Sequence, residues 1–164
     1  GVQPEPLGRL PQEGKIRRGA DALASTRDAK GQFSYGFPGR GSDARRGAGR
    51  MPLCELGLFV AGRSGTEALA AAVAESLRHH ALLERIRKYD DHADAWQNGG
   101  FFFWYDQYGR ALAAKGANDA ASLEKQRAIV LAIPEFDGAW VDSHELGRVY
   151  GTAMALLTLA EARK

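Results

Sequence analysis

The chain is predicted to be all-α and built from stacked α/α hairpins, on three observations. Apolar residues recur at three- and four-residue spacing in six stretches, which is the helical period. Clusters of glycine, proline and polar residues separate those stretches. A plan of helix, glycine–aromatic turn and small-residue helix occurs twice: Asp28-Ala-Lys-Gly-Gln-Phe33 leads to the apolar Met51-Pro-Leu-Cys-Glu-Leu-Gly-Leu-Phe59, and Phe136-Asp-Gly-Ala-Trp140 to Tyr150-Gly-Thr-Ala-Met-Ala-Leu-Leu157. A hairpin of this kind cannot bury its own apolar face, so its neighbours must do so.

Residues 1–14 hold three prolines and three glycines and read as an extended lead-in, leaving residues 15–164 as one helical domain. The first helix is expected over Lys15–Asp28, with Ile16, Ala20, Leu23 and Ala24 on one face. Gly31 to Arg50 is a glycine-rich loop carrying Arg40, Arg45 and Arg46. The second helix covers Ala44–Val60, or begins at Met51 if Pro52 marks its first turn. Gly62 to Gly65 is a tight turn, with Ser64 or Thr66 capping a third helix that runs from Glu67 towards Tyr89. Leu69, Ala72, Val73, Ser76 and Leu77 form its buried stripe, continued by Leu82, Leu83 and Ile86. The periodicity stops between Asp90 and Gly100. The fourth helix, Phe101–Ala114, is apolar on most sides and so is expected to be buried. A fifth spans Ala120–Ile133, closed by Pro134 and the Asp137-Gly138 turn. A sixth runs from Glu145 to Ala162, with Val149, Ala153, Leu156, Leu157 and Ala160 as its core stripe.

Composition excludes several classes. At 164 residues and 45% hydrophobic content, a real core is available without staples, and a single cysteine rules out an intrachain disulfide. With 22 basic and 20 acidic side chains nearly cancelling, the chain is not built to neutralise a nucleic-acid backbone, and no nucleic-acid partner is expected. No apolar run approaches the roughly 20 residues of a membrane span.

Lys125-Gln-Arg-Ala-Ile-Val-Leu-Ala-Ile-Pro-Glu-Phe-Asp-Gly-Ala-Trp140 resembles the repeat of the squalene cyclase and protein prenyltransferase superfamily, in which a helix leads through a glutamine to a glycine-x-tryptophan turn. Arg18-Gly-Ala-Asp-Ala-Leu23 through Gly31-Gln-Phe33 is similar, with phenylalanine in the tryptophan position. The customary glutamine is replaced by Arg27 in the first copy and by Pro134 or Glu135 in the second. The resemblance implies an α/α toroid of inner and outer helix layers, with the turn aromatics packed between hairpins. Three hairpins are visible where a closed ring needs about six, which makes the expected structure a partial, half toroid. Its uncovered end faces then imply self-association or docking to another domain. The superfamily's chemistry does not carry over: there is no Asp-x-Asp-Asp, no Asp-x-Cys zinc pattern, and Cys54 lies in Leu-Cys-Glu-Leu instead of Gly-Cys-x-Glu-Gln. The resemblance thus implies a short, bacterial-type member working as a non-catalytic binding or assembly module with an apolar, aromatic concave face. The alternative is a prenyltransferase- or terpenoid cyclase-like enzyme acting on an apolar or isoprenoid substrate.

Three groups of residues are candidates for that site. Asp91, His92 and Asp94, with Asp142 and His144, bring together carboxylates and imidazoles suited to ligand or metal binding, although the spacing matches neither His-Glu-x-x-His nor an EF-hand loop and no metal or cofactor is assigned. Read structurally, the same acids solvate a loop and cap the fourth helix. Phe102 and Tyr105, within Phe101 to Tyr108, either line a pocket for an apolar small molecule or pack the core. The arginines of the 40–50 loop either hold a phosphate or are solvated. Asp106 and Arg110, four apart, are placed to pair with each other.

Overall fold

The computed structural model describes residues 13–33, 47–85, 87, 103–143 and 146–163. The proposed acidic loop residues Asp91, His92 and Asp94, together with Phe102 and His144, lie outside them, as do Arg40, Arg45, Arg46 and residues 1–12 of the expected lead-in, whose Glu13 and Gly14 belong to the first helix. The expected all-α class is what the described residues adopt: seven helices, and no strand beyond one isolated bridge between Arg27 and Phe33.

The first helix, α1 (Glu13–Ser25), stops short of Asp28. Ser25 and Thr26 donate their hydroxyls to the carbonyls of Ala22 and Leu23 at 2.7 and 2.8 Å, ending the helical ladder. Pro52 decides between the two starts of the second helix. Having no N–H to lose, it occupies the first turn, and α2 runs Met51–Val60. Gly62, at φ 68°, closes α2 with the Arg63 N–H donating to Leu58 O at 2.8 Å. The N-cap of α3 (Thr66–Arg78) is Gly65 instead of Ser64 or Thr66, and Ser64 donates to Glu55. The predicted stripe of α3 is buried at Leu69, Ala72, Val73 and Ser76. The single helix expected from Glu67 towards Tyr89 is interrupted at His79, and α4 (His80–Arg85) follows, with His80 beside Arg110. α5 (Phe103–Gly116) and α6 (Ala120–Ala132) follow, the latter capped by Asp119, whose carboxylate accepts from the Ser122 N–H at 3.0 Å. α7 spans Gly147–Glu161.

The repeated turn has one backbone design in both copies. The N–H of Asp28 donates to Gln32 O at 2.8 Å and that of Gly31 to Asp28 O at 3.0 Å. At the corresponding places, Glu135 donates to Ala139 O at 2.7 Å and Gly138 to Glu135 O at 2.8 Å. Gly31 and Gly138 sit at φ 76° and 81°, a conformation open to glycine at little cost. The aromatic two residues on, Phe33 or Trp140, then turns inward, and a later residue holds its carbonyl. Arg50 does so for Phe33 at 2.9 Å, and the Thr152 hydroxyl for Trp140 at 3.2 Å.

Helix contacts follow two rows. α2, α5 and α7 pack successively in one, α3 and α6 touch in the other, and α5 also contacts both members of the second row. α1 packs on α2. Phe103 and Trp104 of α5 belong to the core: they meet edge to face at 5.1 Å, and Trp104 meets Trp140 at 6.5 Å, whereas Tyr105 is exposed. The Trp140 and Trp104 indole N–H groups donate to Val130 O and Val141 O, both at 2.8 Å.

The expected core stripe of α7 is corrected by the structure. Val149, Ala153, Leu156, Leu157 and Ala160 face outward, and Gly151, Ala155 and Thr158 face the core. The reason is steric. The 140–142 segment crosses α7 so closely at Gly151 that a Cβ there would lie 2.5 Å from Trp140 O and 2.8 Å from the Asp142 N. Only the small-residue side of the helix can accept it.

Gly151→Ala is therefore expected to cost about 1–3 kcal/mol in chemical denaturation, because backbone atoms cannot move aside as a side chain would. Gly19→Ala, in α1 with nothing near its missing Cβ, is the control and should gain about 0.5–1 kcal/mol.

Candidate functional site

Of the seven residues selected from the sequence, Tyr105 and Asp142 fall within the described structure, and they lie in different settings. Tyr105 is exposed at the start of α5, while Asp142 is fully buried just before α7. Among the described residues, no group of three or more His, Cys, Asp or Glu side chains is placed to hold a metal ion. No helix among them is long and apolar enough to cross a membrane.

Asp142 is positioned by the turn that precedes it. Trp140 is anchored by its indole and by Thr152, Val141 O accepts from Trp104 and from Arg87 Nη1 at 3.2 Å, and the Asp142 carboxylate follows beneath them. Its Oδ1 accepts from the Ser143 N–H at 2.9 Å, whereas Oδ2 is buried with no hydrogen-bond partner. Burial raises the Asp142 carboxyl to about 6, against the opposing pull of backbone donors from Ser143 and Trp104 and of Arg87. Asp106, on α5, is raised further, to about 7: burial is the main cause, the Asp142 charge adds to it, and Arg110 and Arg50 oppose it. Tyr150, near both acids, is pushed up to about 12 by burial and then by Asp142 and Asp106. Both carboxyls therefore keep their protons to higher pH than an exposed acid does.

The expected pairing of Asp106 with Arg110 is replaced by a different arrangement. Arg110, 1% exposed, reaches across the stack. Its Nε donates to Gln126 Oε1 of α6 at 2.5 Å, its Nη1 to Ser76 O and Oγ of α3 at 3.3 Å, and its Nη2 to Gln107 Oε1 and towards His80 Nδ1 at 3.3 Å. The Gln126 amide also donates to Gln107 Oε1 at 3.1 Å. Burial lowers the guanidinium to about 10, which leaves it a cation at neutral pH. His80 is driven down to about 4, by burial first and by Arg110 second, so it stays neutral and can accept. Sequence spacing gave no sign of this network, since the partners of Arg110 lie up to 34 residues from it.

The outer side of α7 is a surface of a different kind. Val149, Leu156 and Leu157 are 87%, 55% and 46% exposed, in one stripe with the exposed Ala153 and Ala160. Arg148 and Arg163 stand exposed at its two ends; Arg148 pairs with Asp137, and Glu161 is turned away to Lys115 at 2.7 Å. An apolar helix face of this size is unusual unless something covers it. The stripe was visible in the sequence by its period, although period alone does not say whether a stripe faces inward or outward.

Two measurements test this geometry. Arg110→Lys should destabilise the fold by about 3 kcal/mol in urea titration, since an ammonium cannot reproduce the guanidinium fork and leaves buried acceptors bare. Asp106 supplies the pH test. Its carboxyl ionises near 4 when unfolded and near 7 when folded, so over that interval the unfolded chain has released a proton that the folded chain keeps, and stability falls as pH rises. His80 acts oppositely, costing stability as pH drops from its unfolded range near 6.5 towards 4. Asp106→Asn removes the first effect, and should be more stable than the parent at pH 8 by about 2 kcal/mol, the gap closing towards pH 4.

Neither a family model, nor a characterised protein, nor a solved structure matches this chain.

Proposed function

We propose that the chain is a non-catalytic assembly module: a stack of α/α hairpins, forming an arc of a toroid, that docks through the outward face of α7. The observation that carries this reading is the exposed stripe of Val149, Leu156 and Leu157, on a helix whose opposite side is fully packed. Burying such side chains is worth about 1.5–3 kcal/mol each, so a second apolar surface is a favourable partner. Through its other side α7 packs on α5 and α6. The repeated turn, with its matching hydrogen bonds and inward aromatic, supports the hairpin-stack part of the proposal. A second copy of the chain is the partner to test first.

A second reading, an enzyme acting on an apolar substrate, is favoured by one observation: a buried Asp142 oxygen with no hydrogen-bond partner beside a second raised carboxyl. In that reading Asp142 is the proton donor, and the α7 face has no role.

The experiment is light scattering from low to high micromolar concentration on the wild type and on Leu156→Glu. The module reading expects a mass above that of the monomer which rises with concentration and collapses to monomer in the variant, with the helical fold retained because Leu156 is 55% exposed. A monomeric wild type at every concentration would contradict self-association.

A further inference from the structure

The exposed stripe of α7 has a spacing of its own. Val149, Ala153, Leu156 and Ala160 follow one another at four, three and four residues, the spacing of the two core positions of a coiled-coil heptad. Large and small side chains alternate along it, and all four are exposed, Val149 by 87% and Leu156 by 55%. The chain's own core does not use them, since α7 turns Gly151, Ala155 and Thr158 inward.

A stripe of this pattern is complementary to itself when inverted. With a second α7 antiparallel across it, and a two-fold axis between Met154 and Ala155, Val149 of each copy faces Ala160 of the other and Leu156 faces Ala153. Every large side chain then has a small one opposite, so the two faces interdigitate. A parallel arrangement instead sets each residue on its own copy, crowding the level of Val149 and leaving a gap at that of Ala153.

Charge selects the same orientation. By the helical period Arg148 and Arg163 fall on one flank of the stripe, about 60° apart. Arg148 is held by Asp137, whose side chain is 38% exposed, while Arg163 is exposed and has no ion-pair partner among the described residues. Across an antiparallel two-fold, each flank meets the same flank of the other copy. Arg163 therefore reaches the Arg148–Asp137 end of the second copy and gives that carboxylate a second cation. In the parallel pair Arg163 would stand against Arg163.

We propose that the chain forms a closed two-fold dimer in which the α7 helices pair antiparallel, Val149 against Ala160, Leu156 against Ala153, and Arg163 against Asp137 of the second copy. This rests on the assembly reading and adds to it that association stops at two. The 15 residues of α7 make a contact about 22 Å long and one helix wide, smaller than the roughly 800 Å² per partner of a standard interface, so the dimer dissociates on dilution.

The test is disulfide cross-linking under mild oxidation, at a concentration where light scattering shows association, with single cysteines introduced on a Cys54→Ala background. In the antiparallel pair Ala153 lies about 4.5 Å along the helix axis from its own copy and Ala160 about 16 Å, against a limit of about 7 Å between the Cα atoms of a disulfide. Ala153→Cys should therefore cross-link to itself and Ala160→Cys should not, while Val149→Cys mixed with Ala160→Cys should give the mixed dimer. All three positions are exposed, so the variants keep their fold. Arg163→Glu should weaken dimerisation at least about threefold. Four results would overturn the antiparallel pairing and leave the assembly reading standing: Ala160→Cys linking to itself as readily as Ala153→Cys, association that none of the three thiols captures, a mass that grows beyond the dimer, or Arg163→Glu dimerising as tightly as the wild type. A wild type that is monomeric at every concentration would overturn both.

Discussion

A single buried cation ties the helices together. Arg110 leaves α5 and hydrogen-bonds to α3 and α6, and to a glutamine of its own helix, with His80 of α4 on its remaining nitrogen. Its cradle is neutral: two amides, a hydroxyl, a carbonyl and a neutral imidazole. Opposite charge comes only at longer range, from Asp106. A guanidinium without solvent and without a contacting carboxylate is costly to bury, and it is tolerated when its donors find acceptors of suitable geometry. Four helices must therefore be placed correctly at once, which gives the stack specificity that apolar packing alone does not provide.

Around that centre, the two glycine–aromatic turns do equivalent work at either side of the stack. Each reverses the chain with the same pair of backbone hydrogen bonds and sends an aromatic residue inward. Each also presents its aromatic carbonyl to a residue further along the chain. The second copy is the tighter. There the crossing segment lies on α7 at Gly151, and this contact orients the helix so that its small residues are inside and its large aliphatic residues outside.

Much of this was legible from residue order. The helical period located the helical stretches but ran α3 and α4 together; Pro52 left two starts open and the structure chose the later, and the repeated turn was visible from Gly31-Gln-Phe33 and Gly138-Ala-Trp140. What could not be read was orientation and distance in space. Val149 to Ala160 has the pattern of a core stripe, and only the close pass at Gly151 reveals that it faces out. Arg110 read as the partner of Asp106 by its four-residue spacing, whereas its acceptors come from helices far along the chain. Glu55 is a lone acid within Met51-Pro-Leu-Cys-Glu-Leu-Gly-Leu, and its ion pair with Arg27 depends on how the first turn folds back. Asp142 was selected for nearness to His144 in sequence, and its importance in the structure comes from burial instead.

The central claim is that each helix owes its protection from water to its neighbours, with α5 at the middle of the stack and α1 and α7 at its margins. Hydrogen–deuterium exchange followed by mass spectrometry tests this most directly, since amide protection reports local opening along the chain. The account predicts slowest exchange in α5, intermediate exchange in α2, α3 and α6, and fastest in α1 and the outer face of α7. Protection in α1 equal to that of α5, or an α5 that exchanges before its neighbours, would contradict it.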